Sequence, residues 1–141
     1  NKEFSIVLII LLTGIGIYGH ITHTNGLINI KKDTYAQVRD AALWIKENSN
    51  KDDVIMSISV PQTTFYSERN VTTFSQMSEE EFTNFVKSNT PKYFIISVFE
   101  PHPAWAYSYP DKHKKLLEPI KIFSINQNPV LIIYKFKNLS S

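Results

Sequence analysis

The stretch SEEEFTNFVKSNTPKYFIISVF, Ser78–Phe99, decides the fold class. Ser78 followed three residues later by Glu81 is a capping box, and Met77 and Phe82 occupy the positions of a hydrophobic staple. The spacing of Phe82, Phe85 and Val86 predicts an amphipathic helix that ends near Asn89, ahead of Pro91. YFIISVF, Tyr93–Phe99, then reads as a central strand covered on both faces, because almost no polar residue interrupts it. A capped helix feeding a buried strand is the signature of an α/β domain.

The flanking text extends this pattern. VIMSISV, Val54–Val60, is a β-branched run of strand length stopped by Pro61, and NVTTF, Asn70–Phe74, is a second short strand. QTTFYSER between them reads as a short helix or a loop. Upstream, Tyr35, Val38, Ala41, Ala42 and Ile45 recur at helical spacing behind Asp33, a good N-cap, and the NSNKDD cluster ends that helix. Downstream, Pro110 fits the first position of a short helix carrying Leu116 and Leu117. IKIFSI (Ile120–Ile125) and VLIIYKF (Val130–Phe136) are strands joined by NQNP as a hairpin. The predicted architecture over 33–137 is a three-layer α/β domain with a mostly parallel sheet, closed by an antiparallel hairpin at its edge.

The amino-terminal text differs. Phe4–Ile21 reads FSIVLIILLTGIGIYGHI, with Ile and Leu on every side and no Asp, Glu, Lys or Arg. Eighteen helical residues span about 27 Å, close to the thickness of a bilayer core. The expectation is a transmembrane helix over 4–22, in contact with the lipid bilayer, whose Gly14, Gly16 and Gly19 suit packing against other transmembrane helices. A polar linker over 23–32 follows. Because the chain starts at Asn1, it reads as a processed or excised piece.

Composition narrows the function classes. Fifteen Lys and Arg against 13 Asp and Glu leave a net charge near +2, without the basic excess of a nucleic-acid binder. With no cysteine, disulfides, thiolate metal sites and thiol nucleophiles are excluded. Apolar content of 43% and aromatic content of 13% fit a packed domain. No dinucleotide fingerprint, P-loop, nucleophile elbow or zinc-protease motif occurs.

AALWIKENSNKDDVIMS (Ala41–Ser57), FYSERNV (Phe65–Val71), PKYFIIS (Pro91–Ser97) and IIYK (Ile132–Lys135), in this order, resemble the region after the last membrane span of polytopic GT-C glycosyltransferases of the protein-mannosyltransferase-like type. The resemblance covers about residues 34–137 and implies an accessory C-terminal domain on the extracytoplasmic side of a cell membrane. In that family sugar moves from a lipid-phosphate donor, and the catalytic acid, often with a divalent metal, lies in an early loop that this chain does not include. No catalytic residue, metal ligand or cofactor of this chain is therefore expected. The family usually places Gly before the Arg of the FYSER turn, where this chain has Glu68. A non-enzymatic single-span subunit or binding module of a larger membrane complex is the alternative.

Two groups of residues are candidates for contact with lipid-linked sugar or acceptor. Glu100, His102, Trp105 and Tyr107 follow the presumed central strand, and ligands in open α/β sheets sit beyond the carboxyl ends of strands. The aromatics, with Tyr109, suit stacking on a sugar ring. Their bland reading is a Pro-rigidified loop that covers the core. Tyr66 and Arg69 follow the first strand, and Arg pairs bidentately with phosphate. A local Arg69 ion pair with Glu68 or an Asp is the alternative. His20 and His23 have ligand spacing but read as interfacial anchors, KHKK (Lys112–Lys115) as a solvated face, and Asn70 and Asn138 head N-glycosylation sequons.

Overall fold

The computed structural model describes residues 35–137. The chain divides into two compact units, Asn1–Tyr35 and Ala36–Ser141, and the description concerns the second. Its elements run α1 (35–48), β1 (Val54–Met56), α2 (Val60–Ser67), β2 (Asn70–Thr72), α3 (Glu79–Asn89), β3 (Tyr93–Ser97), α4 (Ala104–Lys112), β4 (Leu117–Ile125) and β5 (Asn128–Phe136). The strands form one sheet in the order β2-β1-β3-β5-β4.

Two expectations about the fold are corrected. Among the described residues no helix is long and apolar enough to cross a membrane. The apolar stretch 4–22, its linker over 23–32, the Asp33 cap and the Asn138 sequon lie outside the described residues. The sheet is mixed, not mostly parallel: β1 pairs in parallel with β2 and β3, whereas β5 pairs antiparallel with β3 and β4. The physical reason is that β5 returns to the open side of β3. Leu131 and Ile133 become buried there, and the hairpin supplies two of the sheet's five strands.

Alternation along the strands divides the core into two faces. Ile55, Tyr93, Ile95, Leu131 and Ile133 face α1, which presents Val38, Ala41 and Ile45 at helical spacing. Met56, Phe94, Ile96 and Phe136 face Phe82 and Val86 of α3 and Ala106 and Tyr109 of α4. All five residues of β3 are buried, since it has a helical layer on each side. The aromatic side of this core is tightly interlocked, with Phe82 4.9 Å from the rings of Phe94, Trp105 and Tyr109.

Element boundaries follow local chemistry. The capping box closes α3: Ser78 N–H donates to Glu81 Oε2 (2.7 Å) and Glu81 N–H to Ser78 Oγ (3.2 Å). β1 is only three residues long, because Ser59-Val60-Pro61 begins a helix instead of ending a strand. Proline fits the first turn of a helix, where its missing N–H is not needed. The helix expected to start at Pro110 starts at Ala104 and carries Pro110 in its last turn. β4 continues through Pro119 with a register shift between Pro119 and Lys121, tolerated because β4 is an edge strand with one free side. Asn126 (φ 50°) and Gln127 (φ 69°) both adopt the left-handed conformation, as a two-residue hairpin turn of matching twist demands.

Candidate functional site

Topology places the site. From β1 the chain crosses through α2 to β2; from β2 it returns past β1, through α3, to β3. Right-handed crossovers in opposite directions put α2 and α3 on opposite faces. Thr63 of α2 accordingly shares a cavity wall with Val38 and Ala41 of α1, and α4, which follows β3, packs on the α3 side. The connections leaving the adjacent parallel strands β1 and β3 therefore diverge to opposite faces. The crevice beyond their carboxyl ends is a topological switch point, the place where open α/β sheets bind ligands.

Polar residues line this crevice. Ser57, Ser59 and Thr63 come from the β1 end and α2; Ser97, Glu100 and His102 come from the β3 end. It leaves about 10 Å³ for the centre of a water molecule, the space that one water or one hydroxyl group needs. Ser57 Oγ and Thr63 Oγ1 are hydrogen-bonded at 3.1 Å. Ser97 Oγ donates to Glu100 Oε2. His102 has both ring nitrogens engaged, Nδ1 with the Glu100 carbonyl oxygen at 2.7 Å and Nε2 with the Ser97 N–H at 3.4 Å. The two contacts are met together by the tautomer that carries its proton on Nδ1.

Ser59 stands apart. It is the N-cap of α2, the position whose oxygen ordinarily accepts a backbone N–H of the first turn, yet its side chain makes no capping bond. Its exposure is 8%. Among the described residues its Oγ has no partner, nor does Glu100 Oε1, and no fully occluded side-chain N or O is left unbonded. The Ser59 hydroxyl is therefore open to the crevice.

Beside the crevice, sharing Ile58 and His102 with it, runs an open groove of about 530 Å³. One wall is Ser75–Ser78 and the other Pro101–Pro103. The walls are tied together: Trp105 Nε1–H donates to the Met77 carbonyl (2.9 Å), and Phe74 packs 5.6 Å from the His102 ring. The groove is thus preformed.

The residues singled out from the sequence separate into two places. Glu100 and His102 are in the crevice. Tyr107 is half exposed and lies against the His102 ring at 5.3 Å. Trp105 packs into the aromatic core with Tyr109, so neither presents a face for stacking. Burial pushes the Tyr109 hydroxyl pKa up, and Thr83 shares its hydrogen at 3.1 Å. Tyr66 and Arg69 lie at the far end of α2, toward the amino ends of the parallel strands. Arg69 there uses every donor on protein groups: Nε–H on Ser49 Oγ (2.8 Å), Nη1 on the carbonyls of Ser67 and Glu68, and Nη2 on those of Lys46 and Ser49. These are the terminal carbonyls of α1 and α2. Arg69 is a clamp on two helix ends, placed by its charge where the dipoles are negative. Glu68 before it holds φ 55°, the left-handed position that a Gly would occupy most easily, and its carboxylate pairs with Lys46. Hydrogen bonding and charge from Lys46 hold the Glu68 carboxyl below its ordinary range.

Ser57, Ser59, Thr63 and Ser97 escape a motif search, since isolated hydroxyls carry no spacing signal. Their trace in the sequence is negative: Ser57 and Ser97 interrupt otherwise apolar strands. Among the described residues no three His, Asp or Glu side chains converge to hold a metal ion. Comparison with protein-family models, curated proteins and solved structures finds no match to the chain.

Proposed function

We propose that this chain is the accessory C-terminal domain of a membrane glycosyltransferase that uses a lipid-phosphate sugar donor, with the catalytic part outside this chain. In this reading the domain works on the extracytoplasmic side and its switch-point crevice contacts the donor or the acceptor. The resemblance of Ala41–Ser57, Phe65–Val71, Pro91–Ser97 and Ile132–Lys135 to that family supports the enzyme class. The observation that carries the binding role is the crevice that Ser59 and Glu100 both line, where Ser59 Oγ and Glu100 Oε1 have no partner among the described residues. A water-accessible hydroxyl and carboxylate oxygen are free to exchange solvent for a polar group of a ligand. The left-handed turn before Arg69 adds support, since a conformation that suits the family's Gly is kept here with Glu68.

The test is an NMR titration of the full chain in mild detergent with a short-chain polyprenyl-phosphate sugar, monitored together with release of the sugar. The expected result is shift changes at Ser57, Ser59, Ser97, Glu100 and His102, with no sugar released by this chain alone. Release of the sugar by the chain, or an unmoved crevice at millimolar donor, contradicts the reading.

A further inference from the structure

Charge is divided unevenly along the described residues. Residues 35–110 hold six Lys and Arg against nine Asp and Glu, whereas 111–137 hold six Lys against two Asp and Glu. The second stretch is the turn after α4 and the hairpin of β4 and β5, so positive charge collects at one end of the sheet. Lys137 ties the lysines together: its backbone N–H donates to the Leu116 carbonyl at 2.8 Å and its Nζ to the Lys114 carbonyl at 3.3 Å. Lys135 lies two residues back on the same face of β5, and Lys121 of β4 stands opposite Ile133, again on that face. Few of these charges are neutralised. Lys112 is taken by Glu79 at 2.8 Å. Lys114 meets Asp111 at 3.4 Å and Lys137 meets Glu118 at 3.8 Å, both in exposed pairs that bind weakly. Lys115, Lys121 and Lys135 are exposed and have no ion-pair partner among the described residues.

The surface between the lysines is apolar. A groove of about 340 Å³ sets Pro110, Leu117, Pro119 and Tyr134 beside Lys114 and Lys137, and Ile122 on β4 is 53% exposed. A lysine on an edge strand also serves to repel a second strand, and Lys121 near Pro119 fits that purpose. Lys114, Lys115, Lys135 and Lys137 do not, since none of them lies on β4. The surplus is all lysine. Arginine makes planar paired contacts that select one phosphate, whereas lysine attracts as a point charge on a flexible stem. Lysines spread along a rim, with apolar side chains between them, match a charged plane better than a single anion. An anionic leaflet attracts each lysine near its surface, and tyrosine settles at the level of the headgroups. We infer that the rim of Lys114, Lys115, Lys121, Lys135 and Lys137 docks on the anionic headgroups of a lipid bilayer. The inference takes from the reading above only its membrane setting. Lys135 stands opposite Tyr93 at the start of β3, so the rim is at the other end of that strand from the crevice.

The experiment places the full chain in bicelles of phosphatidylcholine, with or without phosphatidylglycerol, and reads amide broadening by a lipid spin-labelled at its headgroup. In the anionic bicelles the amides of the five rim lysines should broaden at least about threefold more than in phosphatidylcholine. Salt at ~0.5 M should remove the excess, and Lys51 and Lys87, exposed elsewhere, should show none. Lys114→Gln, Lys115→Gln, Lys135→Gln and Lys137→Gln together should abolish the excess, whereas Lys51→Gln with Lys87→Gln should leave it in place. Lys115→Gln alone, at a side chain without a hydrogen bond or ion pair among the described residues, should reduce it severalfold at an unchanged melting temperature. Equal broadening in both bicelles, or an excess that survives the fourfold variant, overturns the inference. So does a rim that anionic bicelles leave unmoved and inorganic polyphosphate shifts, which would assign the surface to a soluble polyanion. The accessory-domain reading fails separately, on the donor titration at the crevice and the release assay.

Discussion

The two ends of the parallel strands are built on opposite terms. At the amino end, polar groups answer one another: Arg69 closes the carbonyl ends of α1 and α2, Lys92 pairs with Asp53 at 2.6 Å, and the Tyr93 hydroxyl donates to the Asn48 carbonyl at 2.8 Å. At the carboxyl end, Ser59 declines its capping bond and Glu100 keeps one oxygen unengaged. What separates them is which group is engaged: every donor of Arg69 is taken at the amino end, whereas the Ser59 hydroxyl at the carboxyl end has no partner among the described residues.

Substitution at the joint should produce the largest effect. Arg69→Ala leaves four buried or half-buried carbonyls without their donor and is expected to cost about 3 kcal/mol, lowering the melting temperature by roughly 10 °C or more. Arg69→Lys should recover less than half, because an ammonium cannot reproduce the planar fork. A melt within 2–3 °C of wild type would show that the joint is dispensable.

Two N-cap serines make the next comparison. Ser78 caps α3 and Ser59 does not cap α2. Ser78→Ala is expected to cost about 1 kcal/mol in a denaturation experiment, and Ser59→Ala close to nothing. Equal losses would mean that Ser59 serves its helix after all.

Acid titration probes the joint again. Partial burial pushes the Asp53 carboxyl pKa up, but hydrogen bonds from Lys92 and the Asn50 N–H, with the charges of Lys92 and Arg69, outweigh it and hold the group below its ordinary value. A carboxyl depressed by folding stabilises above its unfolded pKa, near ~3.9, and the contribution is lost as pH falls through the folded value. The melting difference between wild type and Asp53→Asn should therefore be constant from about pH 7 to pH 5 and shrink below about pH 4. A difference that persists unchanged in acid would break the assignment. The smallest effect is expected at Glu68. Glu68→Gly relieves the left-handed backbone at φ 55° but removes the exposed pair with Lys46. Its melting temperature should rise, by less than the Ser78 substitution lowers it.

These contrasts also show what the residues make legible in advance. The capping box and staple at Met77–Phe82 mark α3, and the apolar run Tyr93–Phe99 marks the buried central strand, which ends two residues earlier at Ser97, since both signals are local. The place of β5 is not local: whether a closing hairpin inserts beside β3 or hangs at an edge depends on which strand offers an open side. AWAYSYP reads as a loop because two prolines frame it. In the fold, Ala106 and Tyr109 bury one turn apart and pull the segment into α4, leaving Pro110 near the end, where it does least harm. Glu100 and His102 are legible from their place after a strand. Arg69 is not, because an arginine that will clamp two helix ends looks like one that will bind phosphate until α1 and α2 are brought together.

The most direct test of this account is a residue-resolved NMR map of the full chain in mild detergent with a short-chain polyprenyl-phosphate sugar at saturation. The account predicts shift changes confined to Ser57, Ser59, Ser97, Glu100, His102 and the groove walls, with Ser49, Asp53 and Arg69 unmoved. Shifts centred on Arg69 and the amino ends of the strands, or an unperturbed spectrum, would contradict it.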